Sequence, residues 1–257
     1  MTTTGTIELA GLDGGHHTLT SEQLDDLDSR VQGRLLVAGD QGWNDAVSIW
    51  NGMAARLPAL VLQPASAHDV AAAVGFARDH GLLLGVKGGG HNIAGTSMAP
   101  DGLTLDMARL REVAVDPDAK LAHVGPGCLL GEVDQATQAH GLATVLGFVS
   151  ETGVAGLTLG GGFGYLARRF GWTVDNLARS RSSVPTASSV PPTATSTPSC
   201  SGPSAVVAAT LGSSPGSASA CTRSARPSPA ASSSGARSGP PTCWPPTATS
   251  PNRRRES

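Results

Sequence analysis

The chain has 257 residues, of which 15% are charged and 4% aromatic, with a formal net charge of −2. No run of roughly 18 apolar residues occurs and no apolar h-region follows Met1, so a soluble cytoplasmic protein with no membrane partner is expected. The four cysteines show neither metal-ligand spacing nor a disulfide framework, and Cys128 reads as a buried thiol.

Residues 1–19 read as a mobile leader. Residues 21–32 read as a short helix, with Ser21 as N-cap and Leu24, Leu27 and Val31 on one face. Residues 37–51 read as a loop that carries two tryptophans. Leu60-Val61-Leu62 is a strand ended by Pro64. Ser66 caps a helix over 69–80 that turns Val70, Ala73, Val74 and Ala77 inward and stops at Gly81. The apolar run 82–86 supplies the second strand of a β-α-β unit. Residues 103–106 form another strand, and 113–116 pairs with 120–124 around Pro117-Asp118. An amphipathic helix over 129–140 ends at Gly141, and Thr173-Val174-Asp175 starts a further strand.

Residues 178–257 carry eight Arg and one Glu, hence +7, which leaves −9 on residues 1–177. An acidic front domain argues against nucleic acid as a partner. The Arg/Ser/Pro/Ala-rich remainder reads as disordered, or as a basic binding arm. A third reading fits its composition better. When Cys200 to Gly212 are written in GC-rich codons and read from the preceding base, they give LFWAVRGGGGNLG. The tail is therefore expected to be the product of a shifted reading frame, with the strands that would close the preceding domain lost and their partners' edges unpaired.

Two glycine-rich segments carry the chemistry. The first is Lys87-Gly88-Gly89-Gly90-His91-Asn92 with Gly95, directly after the strand 82–86. Glycines let backbone N–H groups converge on a phosphate oxygen, and His91 sets a nucleophilic ring beside that cradle. The second is residues 153–164, with Gly153, Gly156, Gly160 and Gly161. Neither is a Walker loop, since no Gly-Lys-Ser/Thr follows, and neither is a good Rossmann fingerprint.

These segments, taken with Gly102 to Asp106, Gly125-Pro126-Gly127 and Asp175-Asn176, resemble the PCMH-type FAD-binding domain of the vanillyl-alcohol-oxidase superfamily. The nearest branch is that of the berberine-bridge-enzyme-like and 6-hydroxynicotine-oxidase-like oxidoreductases. The resemblance implies an α+β fold of two subdomains with FAD between them. It divides the chain into a leader and short helix (1–30), a flavin domain without its C-terminal part (31–177) and a disordered tail (178–257).

The same resemblance makes Lys87, Gly88, Gly89, Gly90, His91, Asn92, Gly95, Gly153, Gly156, Gly160 and Gly161 the cofactor-binding set, and His91 the covalent anchor to the flavin 8α carbon. A neutral imidazole is the competent nucleophile there. Substrate hydride would pass to flavin N5, from a CH–OH or CH–NH donor, with dioxygen as the acceptor. No catalytic base and no metal is assigned. Position 87 is usually Arg in this branch, so Lys87 keeps the charge without the planar fork. Doubly attached members carry a cysteine where Val149 stands, so a single bond is implied. Two competing readings remain: His91 as an ordinary loop histidine, and the chain as a non-catalytic remnant with weak or no FAD retention. His16, His17, His68, His80, His123 and His140 read as surface or capping residues, Asp106 and Asp175 as capping or turn residues, and Arg168 and Arg169 as a solvated face.

Overall fold

The computed structural model describes residues 5–183, 205–212 and 214–215. Residues 1–19 are not merely a leader. Strands β1 (Ile7–Ala10) and β2 (His16–Leu19) form an antiparallel hairpin. Alternation puts Leu9 and Leu19 in the main core, at 0% and 1% exposure. The hairpin is also tied down by main-chain bonds from Ala10 N to Asp101 O and from Leu83 N to Ala10 O. Helix α1 (Ser21–Arg30) includes the residue expected to cap it. Thr20, not Ser21, is the N-cap, and it makes a capping box with Gln23.

The first subdomain is built on a four-stranded sheet in the order β3-β4-β6-β5. Strands β3 (Arg34–Leu36) and β4 (Leu60–Gln63) are antiparallel, while β4, β5 (Leu84–Lys87) and β6 (Leu103–Asp106) run parallel. Parallel strands are buried on both faces, and Leu60, Val61, Leu62, Leu103 and Leu105 are all at most 1% exposed. Helix α2 (Trp43–Val47) lies against β4, with Trp43 and Ala46 packed on Val61. Helix α3 (Ala67–Asp79) makes the β-α-β crossover and is capped by Ser66, as its sequence requires. The Asp69 carboxylate accepts from Gln32 N, Ala65 N and the Ser66 hydroxyl, which pins the start of α3 to the chain before β3.

The second subdomain is an antiparallel sheet in the order β10-β11-β8-β7. Strands β7 (Val113–Asp116) and β8 (Leu121–Val124) form the expected hairpin. Helix α4 (Leu130–Gln138) covers the sheet, and β9 (Leu142–Ala143) follows it. Its core joins Ala122, Val124, Cys128, Leu130, Val133, Leu146 and Val154. Cys128 is fully buried, as expected.

Strand structure continues past the compositional break. Residues 174–176 form a 3-10 turn rather than a strand start, because Asp175 accepts from Trp172 N and the Asn176 amide donates to the carbonyls of Phe170 and Trp172. Strand β10 (Leu177–Ser183) then begins. It pairs with β11 (Ala205–Gly212), which pairs in turn with β8 through Ala209↔Val124 and Leu211↔Ala122. The apolar, β-branched run Ala205-Val206-Val207-Ala208 suits this position. The edge of β8 is thus paired, against the expectation that the closing strands of this domain are lost. Ser214–Pro215 pair with β9; the remainder of the tail assigned as disordered lies outside the described residues.

Candidate functional site

The C-terminal ends of parallel strands are where a βαβ sheet leaves room for ligands. Residues 88–92 leave β5 at that edge. No described group accepts a hydrogen bond from the N–H of Gly89, Gly90, His91 or Asn92. Four adjacent donors without acceptors make a cradle for ligand oxygens.

The second glycine segment closes against this loop. A Cβ on Gly89 would lie 2.3 Å from Gly153 N, and a Cβ on Gly153 would lie 2.3 Å from Gly89 N. The two backbones touch directly. Gly153 is also bridged to Leu129, so the chain after Gly125-Pro126-Gly127 joins the same contact. Helix α5 (Val154–Leu159) starts at this point. The glycine-rich segment 153–164 is therefore partly helical.

Between the two segments lies a cavity of about 350 Å³. Its wall consists of Val86, residues 88–92, Thr96 and Ser97 on one side and Thr152, Gly153, Gly156 and Leu157 on the other. It contains no carboxylate to repel an anion. Within the described residues there is no cluster of His, Cys, Asp or Glu able to hold a metal.

His91 stands at the junction. Its imidazole stacks on Trp50 with ring centroids 5.9 Å apart and planes 21° apart. Its Nδ1 lies 3.5 Å from Thr152 Oγ1 across the cavity. Ser97 also lines the wall, and its Oγ is buried with no hydrogen-bond partner among the described residues. A buried hydroxyl without a partner is costly unless something supplies one. The free N–H groups, this hydroxyl and the close glycine contact together fit a bound phosphate-bearing cofactor.

The structure brings Gly88, Gly89, Gly90, His91, Asn92, Gly153 and Gly156 to the cavity. Four predicted residues lie elsewhere. Lys87 is buried, and its ammonium donates to Ala46 O at 2.8 Å and Asp45 O at 3.3 Å, with Asp106 Oδ1 at 3.4 Å. Alternation along β5 turns it away from the wall, so it supports the loop from behind. Gly95 has φ 70° and packs on Ala54 O, where a Cβ would come within 2.5 Å. Gly161, at φ 96°, packs on the Trp172 ring, and Gly160 closes α5. Sequence reasoning missed Trp50, Thr152 and Ser97. Only the position of Thr152 next to Gly153 hinted at any of them.

Comparison with known proteins identifies the domain that holds this cavity. The FAD binding domain family model matches residues 58–186. FAD-linked oxidoreductase pgmH of Aspergillus terreus is 36% identical over 167 residues, which are 63% of this chain and 34% of that protein. (R)-6-hydroxynicotine oxidase of Paenarthrobacter nicotinovorans is 33% identical over 147 residues, 57% of this chain and 32% of that one. The chain thus spans about a third of the length of the curated relatives it matches. The crystal structure of 6-hydroxy-D-nicotine oxidase from Arthrobacter nicotinovorans superposes with a TM-score of 0.67 at 27% identity, over 71% of this chain and 42% of that one. Physcomitrella patens BBE-like 1 shares the fold at 23% identity and a TM-score of 0.67, over 74% of this chain and 44% of that one. The chain belongs to the FAD binding domain family.

Proposed function

We propose that this chain holds FAD through the cradle of residues 88–92 and carries it on His91 by a single covalent bond, as the flavin-bearing part of an oxidoreductase. The observation that supports this best is the placement of His91 at the wall of the cavity, beside four main-chain donors that have no described acceptor. The donors bind pyrophosphate oxygens without needing a charged side chain. Gly153 and Gly156 keep the opposite wall free of side chains, and Ser97 offers its unpartnered hydroxyl to the same ligand.

When bound, FAD would supply a hydride acceptor at N5 for a small-molecule CH–OH or CH–NH donor, with dioxygen as the final acceptor. Attachment through His91 would exchange its ring N–H and one 8α C–H of the flavin for a C–N bond, a two-electron oxidation for which dioxygen would be the oxidant. The imidazole must be neutral for this, and Thr152 Oγ1 lies 3.5 Å from its Nδ1. Val149 in place of a second attachment cysteine leaves His91 as the single tether. Among the described residues no helix is long and apolar enough to cross a membrane, and we place the protein in the cytoplasm.

The test is acid precipitation of the chain purified with FAD. Yellow colour and flavin absorbance should stay with the pellet at about one flavin per chain. A His91→Ala chain should release its flavin to the supernatant; retention there would remove His91 from the attachment role.

A further inference from the structure

The segment 37–51, which reads as a loop in the sequence and which the structure folds in part into α2, has no chemistry legible in its sequence, yet its far end runs beside the cradle. The contacts between them fall on both sides of His91. Lys87 Nζ donates to Ala46 O at 2.8 Å. Trp50 N donates to Gly90 O at 3.1 Å, next to His91. The Asn51 side chain donates to Ile93 O at 2.7 Å, two residues beyond it. Trp50 and Asn51 are therefore fixed to the main chain on either side of the histidine.

Trp50 is 65% exposed, unlike Trp43 of the same segment at 6%. A large apolar ring left that open adds little to a core. The aromatic partner recorded for its ring is the imidazole of His91, at 5.9 Å and 21°. Near-parallel stacking restricts rotation of the imidazole about its own axis. Thr152 Oγ1, from the other subdomain, reaches the ring edge at Nδ1. One contact sets the plane of the ring and the other its edge.

We infer that Trp50 is a positioning residue for His91, held on the main chain of the cradle so that its indole fixes the imidazole plane at the cavity wall. This rests on the reading of His91 as the flavin anchor. Trp50 acts on His91 and need not touch the flavin.

The full chain is compared with its Trp50→Ala and Trp50→Phe variants, with FAD as the probe. Nuclear magnetic resonance of the flavin-free chain reads the His91 ring protons, assigned through their loss in His91→Ala. The wild-type signals should show an upfield ring-current shift, which Trp50→Ala abolishes and Trp50→Phe largely restores. On incubation with FAD, acid-stable flavin should form about fivefold to tenfold more slowly in Trp50→Ala. Reversible FAD affinity should stay within about twofold, and Trp50→Phe should recover most of the rate. Unchanged His91 signals in Trp50→Ala would overturn the inference. So would a parallel loss of affinity and attachment, which would mean damage to the loop as a whole. A wild-type chain that binds flavin without an acid-stable bond refutes the anchor role of His91, while the ring-current measurement still decides the role of Trp50.

Discussion

Gly89 and Gly153, sixty-four residues apart (153 − 89), meet backbone to backbone with no room for a methyl group on either. Gly89 ends the outward run from β5, and Gly153 opens α5. Their contact joins the first subdomain to the second at the floor of the cavity. The glycine content of both segments thus has a packing cause as well as a ligand-binding one. Where two main chains touch, neither can carry a Cβ.

A Gly153→Ala chain should therefore lose about 1–3 kcal/mol of stability, the usual cost of overpacking. Because backbone and not a flexible side chain stands in the way, the loop 88–92 must shift. FAD affinity should fall by at least about tenfold, since a shift of even 1 Å misaligns the four donors. Urea unfolding followed by tryptophan fluorescence, with FAD titration on the same sample, checks both. Wild-type values for the two together would mean that the glycine contact is not a close one.

Gly156 separates the two causes. It sits inside α5 and lines the cavity, and a Cβ there meets nothing within 4 Å. Gly156→Ala should raise stability by about 0.5–1 kcal/mol through lower helix entropy cost. The added methyl takes space from the ligand, so FAD binding should weaken while the melting temperature rises. A variant that is stabilised and binds FAD as tightly as the wild type would place the flavin elsewhere.

Ser97→Ala makes a similar contrast. Its Oγ is buried without a partner among the described residues, so its removal from the chain without FAD should be neutral or stabilise by up to about 1 kcal/mol. With FAD bound, loss of the hydroxyl should weaken affinity about fivefold to tenfold. Calorimetric titration of the two chains with FAD is decisive, and equal affinities would leave Ser97 without a ligand.

The sequence made the cradle legible because glycine runs next to an apolar strand are rare combinations with a mechanical meaning. His91 was legible for the same reason, through its place in the run. Trp50, Thr152 and Ser97 were not, because each reaches the site through contacts distant in the chain: Trp50 lies 41 positions from His91 (91 − 50). Lys87 misled in the opposite sense. A cation beside a phosphate loop suggests a phosphate ligand, but alternation along β5 points this one inward. The N-terminal hairpin was hidden by polar residues between Leu9 and Leu19, which leave only two strong core positions in the segment. Strand β11 was hidden by the composition around it.

The inward placement of Lys87 has its own consequence. Its ammonium faces Asp106 Oδ1, and Gln63 Nε2 holds the other carboxylate oxygen at 2.8 Å. Both charged residues are buried, at 7% and 1% exposure. Removing one member strands the other charge, so Asp106→Ala should cost about 3–5 kcal/mol. A double variant, Lys87→Met with Asp106→Leu, should recover much of that loss, because no charge is left without its partner. Chemical unfolding of the three chains tests this. If the single and double variants lose the same stability, the pair is not coupled.

Cys128 provides a pH-dependent signature of the second subdomain. Burial pushes its thiol up from 9.0 to about 11, with Glu132 and Glu112 adding to the rise, while its Sγ donates to Glu112 O at 3.3 Å. The unfolded thiol ionises near its ordinary value, so between about pH 9 and 11 the unfolded state loses a proton that the folded state keeps. Folding stability from this group is complete below pH 9 and declines as pH rises through 11. A Cys128→Ala chain should show a flatter decline over that window. Reactivity gives a second measure: the thiolate is the reacting form, so at pH 8 the folded chain should leave Cys128 unmodified by iodoacetamide while unfolded chain reacts. Peptide mapping by mass spectrometry distinguishes it from Cys200, Cys221 and Cys243. Rapid modification of Cys128 in the folded chain at pH 8 would show that the core formed by α4, β8 and α5 opens readily. The wall of the cavity that Gly153 anchors would then be mobile as well, because Val154 N is bonded to Cys128 O.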